Sequence, residues 1–362
     1  MKLLRRILFV SSISLLFILG ACGTDTATTG QDRSNNDDKP ITLLLNNTAP
    51  ATHHITVNGF EPWSKLVEEK TNGRMKVEVY SGASIGGNLS VYEDVKGGVY
   101  DIGVTGSDYA YDTELFPWTI SELPFVFTDP VQTQRIVSKV VEKFGIEELN
   151  QHVKYLSHAP RDPYIVVSTK PVNSIEDVQG MNIAVSGRLP ARILEKWGAT
   201  PVFFESNEIY EALQRKTADA VIFSGVSAGK SGQKYNEVAP YFVQNLAITN
   251  GTLPLIMNKE KYESLPEDLK EIFDNELAPA LGEMIAKSYA DLSKTYSEEM
   301  GPEDVTITRL PEQELEDFTK HGFVAWNEWV KMANERGYPG EEMVDYLIEL
   351  LEEEGVNVEF IK

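Results

Sequence analysis

Three stretches carry residue types whose spacing could support chemistry. Gly225-Val226-Ser227-Ala228-Gly229-Lys230-Ser231 orders glycines, a lysine and a serine much as a phosphate-cradling loop does. Three residues separate its glycines where that loop needs four, so a polar loop is the plainer reading. His53 and His54 are adjacent and point to different sides of any regular element, and none of the 5 histidines has metal-ligand spacing. No metal is expected, although one of the two, taken as His54, is a candidate for lining a cleft after the first strand. There is no serine nucleophile elbow and no zinc-protease helix, and runs such as Glu352-Glu353-Glu354 read as solvated helix faces. Catalysis and a bound cofactor have no positive support in these residues.

The third stretch is covalent. Lys2, Arg5 and Arg6 precede a mainly apolar run from Ile7 to Leu19, too short for an ordinary membrane span and shaped as an export signal. It closes on Leu19-Gly20-Ala21-Cys22, a bacterial lipobox pattern, and Cys22 is the 1 cysteine of the chain. We therefore expect residues 1–21 to be removed and Cys22 to be lipidated, leaving the protein exported and lipid-anchored at the outer face of the cell membrane. Residues 22–40 have almost no apolar side chains and read as a flexible tether. An excess of 55 acidic over 33 basic residues, a net charge of −22, argues against nucleic acid and anionic membrane surfaces as partners.

Any site on the remaining chain must be positioned by α/β elements. From Ser174 to Gly225 the pattern is strand, helix, strand, helix, strand. Ile183 to Val185 ends at Ser186-Gly187, and a helix with Leu189, Ile193, Leu194 and Trp197 stops at Gly198. Strand Val202 to Phe204 then leads through the capping types Ser206 and Asn207 into a helix bearing Ile209, Ala212 and Leu213, and strand Ala218 to Phe223 closes the unit. The earlier chain repeats this logic. Strand Ile41 to Leu45, a helix with Phe60, Trp63, Leu66 and Val67, the alternating strand Met75 to Tyr80, a helix ending near Val95 and strand Ile102 to Val104 follow one another.

Tyr92 to Val104 (YEDVKGGVYDIGV) aligns without a gap on Tyr210 to Ile222 (YEALQRKTADAVI). A repeat this long and this widely spaced suggests two equivalent lobes, not a solenoid. Strands Tyr164 to Thr169 and Leu253 to Met257 are the expected crossings between them. Beyond, helices are expected from Leu269 to about Ser297 with a kink at Pro279, from Glu312 to about Asn334, and from Glu341 to Glu353, with Phe318, Phe323, Trp326 and Trp329 as core aromatics.

In this order along the chain, VEEKTNGRMKVEVYSGASIGG (67–87), VKGGVYDIGV, LPFVFTD (123–129), KPVNSIEDVQGMNIAV (170–185), GATPVFFESNEIYEALQRKTADA and LIMNKEKYESLPEDLKEIF resemble the DctP-type solute-binding proteins of tripartite ATP-independent periplasmic (TRAP) transporters. The resemblance implies a two-lobed, periplasmic-binding-protein-like α/β clamshell with a long inter-lobe helix and a helical C-terminal part. Its divisions would be 41–163 for the first lobe, 164–252 for the core of the second, 253–310 for a return through the first lobe and the bracing helix, and 311–362 for C-terminal helices packed on the lobes. It also implies a receptor that turns nothing over, closes on a small-molecule solute and delivers it to membrane permease subunits. A sensor feeding a membrane kinase would use the same clamshell.

The resemblance further implies an arginine that grips the ligand's carboxylate at the position of Ala184, and an asparagine at that of Phe223. Both departures make the expected pocket more apolar and point to a monocarboxylate or sulfonate with an apolar or aromatic body. Arg188, at a helix start, and Arg161 are the candidate replacements. Tyr164 stands opposite another family ligand position, and Ser206 at a further one, with Glu205 beside it able to favour an amine. Ser186, Ser224, Tyr109 and Asn88 complete the expected site. A neutral or cationic solute remains the alternative.

Overall fold

Two sheets organise the computed structural model, which describes residues 39–356 and Val358. The expected export signal, the expected tether as far as residue 38 and Cys22 lie outside the described residues. Sheet one orders its strands as β2 (Met75–Tyr80), β1 (Ile41–Asn46), β3 (Ile102–Val104), β10 (Thr252–Asn258) and β4 (Val153–Pro160). Sheet two runs β11 (Thr306–Thr308), β9 (Tyr241–Val243), β5 (Tyr164–Ser168), β8 (Ala220–Ser224), β6 (Asn182–Val185) and β7 (Thr200–Phe203).

The two sheets are built alike, as the internal repeat predicts. In each, three parallel strands (β2-β1-β3 and β7-β6-β8) meet an antiparallel strand contributed from the other side of a crossing, β10 in one and β5 in the other. The matched sequences are the helix Val91–Lys96 running into β3 and the helix Ile209–Gln214 running into β8. Strand β8 is buried on both faces. Val221 and Phe223 enter one apolar cluster while Ala220 and Ile222 enter another, which is why AVIF reads as an unbroken apolar run.

The chain crosses between sheets more often than the sequence suggests. Strand β4 passes through Arg161-Asp162-Pro163 into β5, and β9 leads to β10. A third passage follows the helix Ala278–Glu299, after which β11 pairs parallel to β9 in sheet two. Strands β4, β9 and β11 escape sequence reading because they are short or charged and borrow their apolar environment from distant partners. Upstream of Pro279, the turn Phe273–Leu277 is π-helical and leads directly into the long helix, the local irregularity that a residue without an N–H is expected to impose.

One expected helix is two. Glu312–Thr319 and Phe323–Glu335 are separated at Lys320-His321-Gly322. Phe318, Trp326 and Trp329 are core residues, but Phe323 is 48% exposed, a correction to the expected set. These helices staple both halves of the fold: Trp197 Nε1 donates to the Phe318 carbonyl at 2.9 Å, and Trp329 Nε1 donates to Thr119 Oγ1 at 2.8 Å. The last helix spans Gly340–Glu353.

Candidate ligand-binding site

A cavity of about 50 Å³ lies between the sheets, lined by residues that follow β1 and β3 and by residues at the end of β8. Asn47 and Thr48 follow β1, Thr105 to Tyr109 follow β3, and Phe223 stands near the end of β8. Arg161 enters from the first crossing, Tyr289 from the long helix and Asn88 from the Gly-rich turn.

Arg161 is the buried cation of this space. Its side chain is 9% exposed, and its guanidinium lies 5.6 Å from the centre of the Tyr164 ring. Its Nη1 donates to Asp108 Oδ1 at 3.3 Å, long for a charge-assisted bond, and no second hydrogen bond from the guanidinium occurs among the described residues. The backbone must come close for this. A Cβ on Gly106 would stand 1.9 Å from Asp108 Oδ1 and 2.1 Å from Arg161 Nη2.

Burial and Arg161 tune the neighbouring groups. His53 is pushed down to about 3, by burial first and by the guanidinium second, so it is neutral at ordinary pH. Its Nδ1 accepts the Ile55 N–H at 3.3 Å, which leaves the proton on Nε2. Behind the cavity, Glu122 hydrogen-bonds Ser107 at 2.7 Å and Tyr111 at 3.3 Å, and burial, reinforced by the Asp108 carboxylate, pushes its carboxyl up to about 8. Asp162 is raised to about 6 by burial, against the pull of its bonds from Ser224 Oγ and the Val226 N–H.

Contacts from both sheets meet at the cavity rim. The Asn88 N–H donates to Glu205 Oε2 at 2.9 Å and Asn88 Nδ2 to Ser206 Oγ at 3.3 Å. Tyr109 donates to Ser186 Oγ at 3.0 Å and accepts the Ser206 N–H at 3.1 Å.

Of the residues expected from sequence, Arg161, Asn88, Tyr109, Ser206 and Phe223 line the cavity together. Tyr164 backs Arg161 and packs 5.7 Å from Phe223, centre to centre. Ser186 holds Tyr109 in place. The remaining three stand elsewhere. Ser224 caps the short buried helix Gly225–Ala228, so the first part of the stretch expected as a polar loop is helical instead. His54 lies behind His53 and bonds Ser288 at 2.9 Å. Arg188 is exposed and pairs with Asp112 outside the cavity. Ala184 is wholly buried in the apolar cluster that contains Phe223 and Tyr235 and does not reach the cavity, and Glu205 is committed to the rim contact with Asn88. Sequence reading missed Asp108, Ser227 and Tyr289, and of the adjacent histidines it chose His54 where His53 lines the cavity. Asp108 alone carried a usable signal, its place just past the end of β3.

Among the described residues no group of His, Cys, Asp and Glu is placed to hold a metal ion, and no helix is long and apolar enough to cross a membrane. The family model of the bacterial extracellular solute-binding proteins, family 7 (DctP), matches residues 45–332. The chain belongs to this family. The DctP proteins are solute-binding receptors, and the two-lobed α/β fold expected from sequence is theirs. This solute-binding protein is 23% identical over 310 residues to the outer membrane transporter protein TsaT of Comamonas testosteroni, covering 84% of this chain and 90% of that one. It is 23% identical over 282 residues to the ectoine-binding periplasmic protein TeaA of Halomonas elongata, covering 74% and 79%. Among solved structures, a TRAP solute-binding protein from Rhodoferax ferrireducens in complex with benzoate superposes with a TM-score of 0.76 at 24% identity, over 86% of this chain and 98% of that one. A marine metagenome TRAP solute-binding protein specific for aromatic acid ligands, in complex with 3-hydroxybenzoate, gives 0.76 at 25% identity over 87% and 99%.

Proposed function

We propose that this protein captures a small organic acid, a monocarboxylate or sulfonate with an apolar or aromatic body, and delivers it in the closed form to a TRAP-type permease. Arg161 carries the reading. It is a buried guanidinium on the cavity wall with one long hydrogen bond to Asp108, so it retains donors for an anion in a setting where water does not compete. Ile55, Val104, Leu253 and Phe223 supply apolar wall for the ligand's body. The aromatic acids bound by two similar proteins support that choice. Binding involves no turnover, and Cys22 tethers the receptor beside the permease. Asn88, Tyr109 and Ser206 contribute rim contacts that hold the lobes closed, while Arg188 acts outside the pocket.

Binding confined to the folded, closed form raises the melting temperature with ligand concentration. Thermal shift and calorimetry with benzoate, 3-hydroxybenzoate, phenylacetate, mandelate, lactate and the matching sulfonates test the proposal. Saturable binding of at least one acid, abolished in Arg161→Ala, is the expected result. Binding that survives this substitution, or tighter binding of the corresponding amides than of the acids, overturns it.

A further inference from the structure

Asp108 has work that the acid-binding reading does not use. It lines the cavity with its side chain only 2% exposed, and while Oδ1 takes the bond from Arg161, Oδ2 is buried without a hydrogen-bond partner among the described residues. A buried carboxylate oxygen left unpaired is costly, so the place of its missing donor is informative.

Of the nearby hydroxyls, Tyr164 Oη is itself buried without a partner and makes no bond to Asp108, and the others are spoken for. Ser107 Oγ bonds Glu122 at 2.7 Å and accepts the Thr252 N–H at 3.1 Å. Tyr109 donates to Ser186, Tyr111 is engaged with Glu122, and Tyr235 donates to the Ser206 carbonyl at 2.5 Å. Arg161 reaches Oδ1 alone. The titratable groups facing Asp108 from the packed elements are Arg161, Glu122, Tyr109 and Tyr111, with His53 and Tyr289 also on or beside the cavity, and none supplies the second oxygen.

We propose that Asp108 is a specificity-determining residue that selects acids carrying a hydrogen-bond donor, a hydroxyl or an ammonium, on the carbon next to the acid group. This rests on the reading above, in which Arg161 takes the acid. Asp108 and Arg161 are hydrogen-bonded to each other, so a ligand seated on the guanidinium brings its adjacent carbon beside the carboxylate. A donor there satisfies Oδ2. A plain acid leaves Oδ2 without a donor, so the same residue favours one class of acid over the other.

Two matched pairs differing only in that hydroxyl, mandelate with phenylacetate and lactate with propionate, test this by calorimetry on the full folded domain. The hydroxy acid of whichever pair binds should be preferred by about tenfold or more, the usual scale for a hydrogen bond to a charged group. In Asp108→Asn, which keeps the shape and removes the charge, that ratio should fall toward one. The wild-type ratio needs no variant and so stands even if Asp108→Asn folds poorly. Equal affinities within the pairs, or a ratio that Asp108→Asn leaves intact, overturn the assignment alone. Binding of none of the four acids, nor of the simple acids screened above, sinks the acid reading and this inference with it.

Discussion

Tyr109 and Ser186 join the two sheets across the cavity rim through one hydrogen bond of 3.0 Å, and the same tyrosine oxygen accepts the backbone N–H of Ser206 at 3.1 Å. One hydroxyl on the first lobe thus engages two strand ends of the second. Because closure and ligand capture are linked, Tyr109→Phe should weaken the best-binding acid roughly tenfold, the scale of one to two lost hydrogen bonds. Small-angle scattering of the liganded variant should show a larger open fraction. Unchanged affinity would mean that the bond plays no part in closure.

The two arginines expected from sequence should separate cleanly. Arg161→Ala strands the Asp108 carboxylate in a buried site and should cost about 3–5 kcal/mol of stability as well as acid binding. Arg188→Ala removes an exposed pair with Asp112 and should cost less than about 1 kcal/mol. Denaturant titration of both variants checks the contrast, and a large loss in Arg188→Ala would refute it.

Gly106→Ala adds only a methyl group, yet that methyl would stand 1.9 Å from Asp108 Oδ1 and 2.1 Å from Arg161 Nη2. The pair must move apart to admit it. The expected outcome is a loss of about 1–3 kcal/mol, the range for overpacking, together with weakened acid binding. Retention of full affinity would show that Arg161 does not hold the acid in this position.

Glu122 makes stability depend on pH in a defined direction. Its carboxyl is raised from 4.5 to about 8 in the folded state, so between those values the folded protein keeps a proton that the unfolded chain releases. The contribution is complete below about pH 4.5 and is lost as pH climbs through 8, where the folded state ionises too. Asp162, raised to about 6, adds to the same slope at lower pH. Below about pH 6.5 the buried histidines, His53 held at about 3 and His158 at about 4, tilt stability the other way, so melting temperature should fall between about pH 7 and 8.5, and Glu122→Gln should flatten that fall. Parallel profiles for the two proteins would contradict the assignment.

Much of the fold was legible because it is written in local pattern. Apolar strand runs ending at Gly or Ser, helix faces such as Leu189, Ile193 and Leu194, and the match of Tyr92–Val104 to Tyr210–Ile222 specify two similar α/β halves without any knowledge of contacts. Strands β4, β9 and β11 were not legible, since a short or polar strand exists only by virtue of its neighbours. Phe323 failed as a core residue for a related reason: it opens the second helix just past the break at Lys320-His321-Gly322 and stands off the face that buries Trp326 and Trp329.

The candidate site divides the same way. The family resemblance, together with residue type, brought Arg161, Asn88, Tyr109, Ser206 and Phe223 forward. Only the tertiary structure decided that Arg161 lines the cavity while Arg188 stands in solvent, that Ala184 faces an apolar cluster, and that His53, not His54, lines the cavity. It alone revealed Asp108 with one oxygen bonded and the other bare. The physical reason is that a side chain's charge state and function follow from burial and partners, and residues 50 positions apart acquire both only when the chain folds: Arg161 and Asp108, separated by 53, have neither until β3 and the first crossing meet.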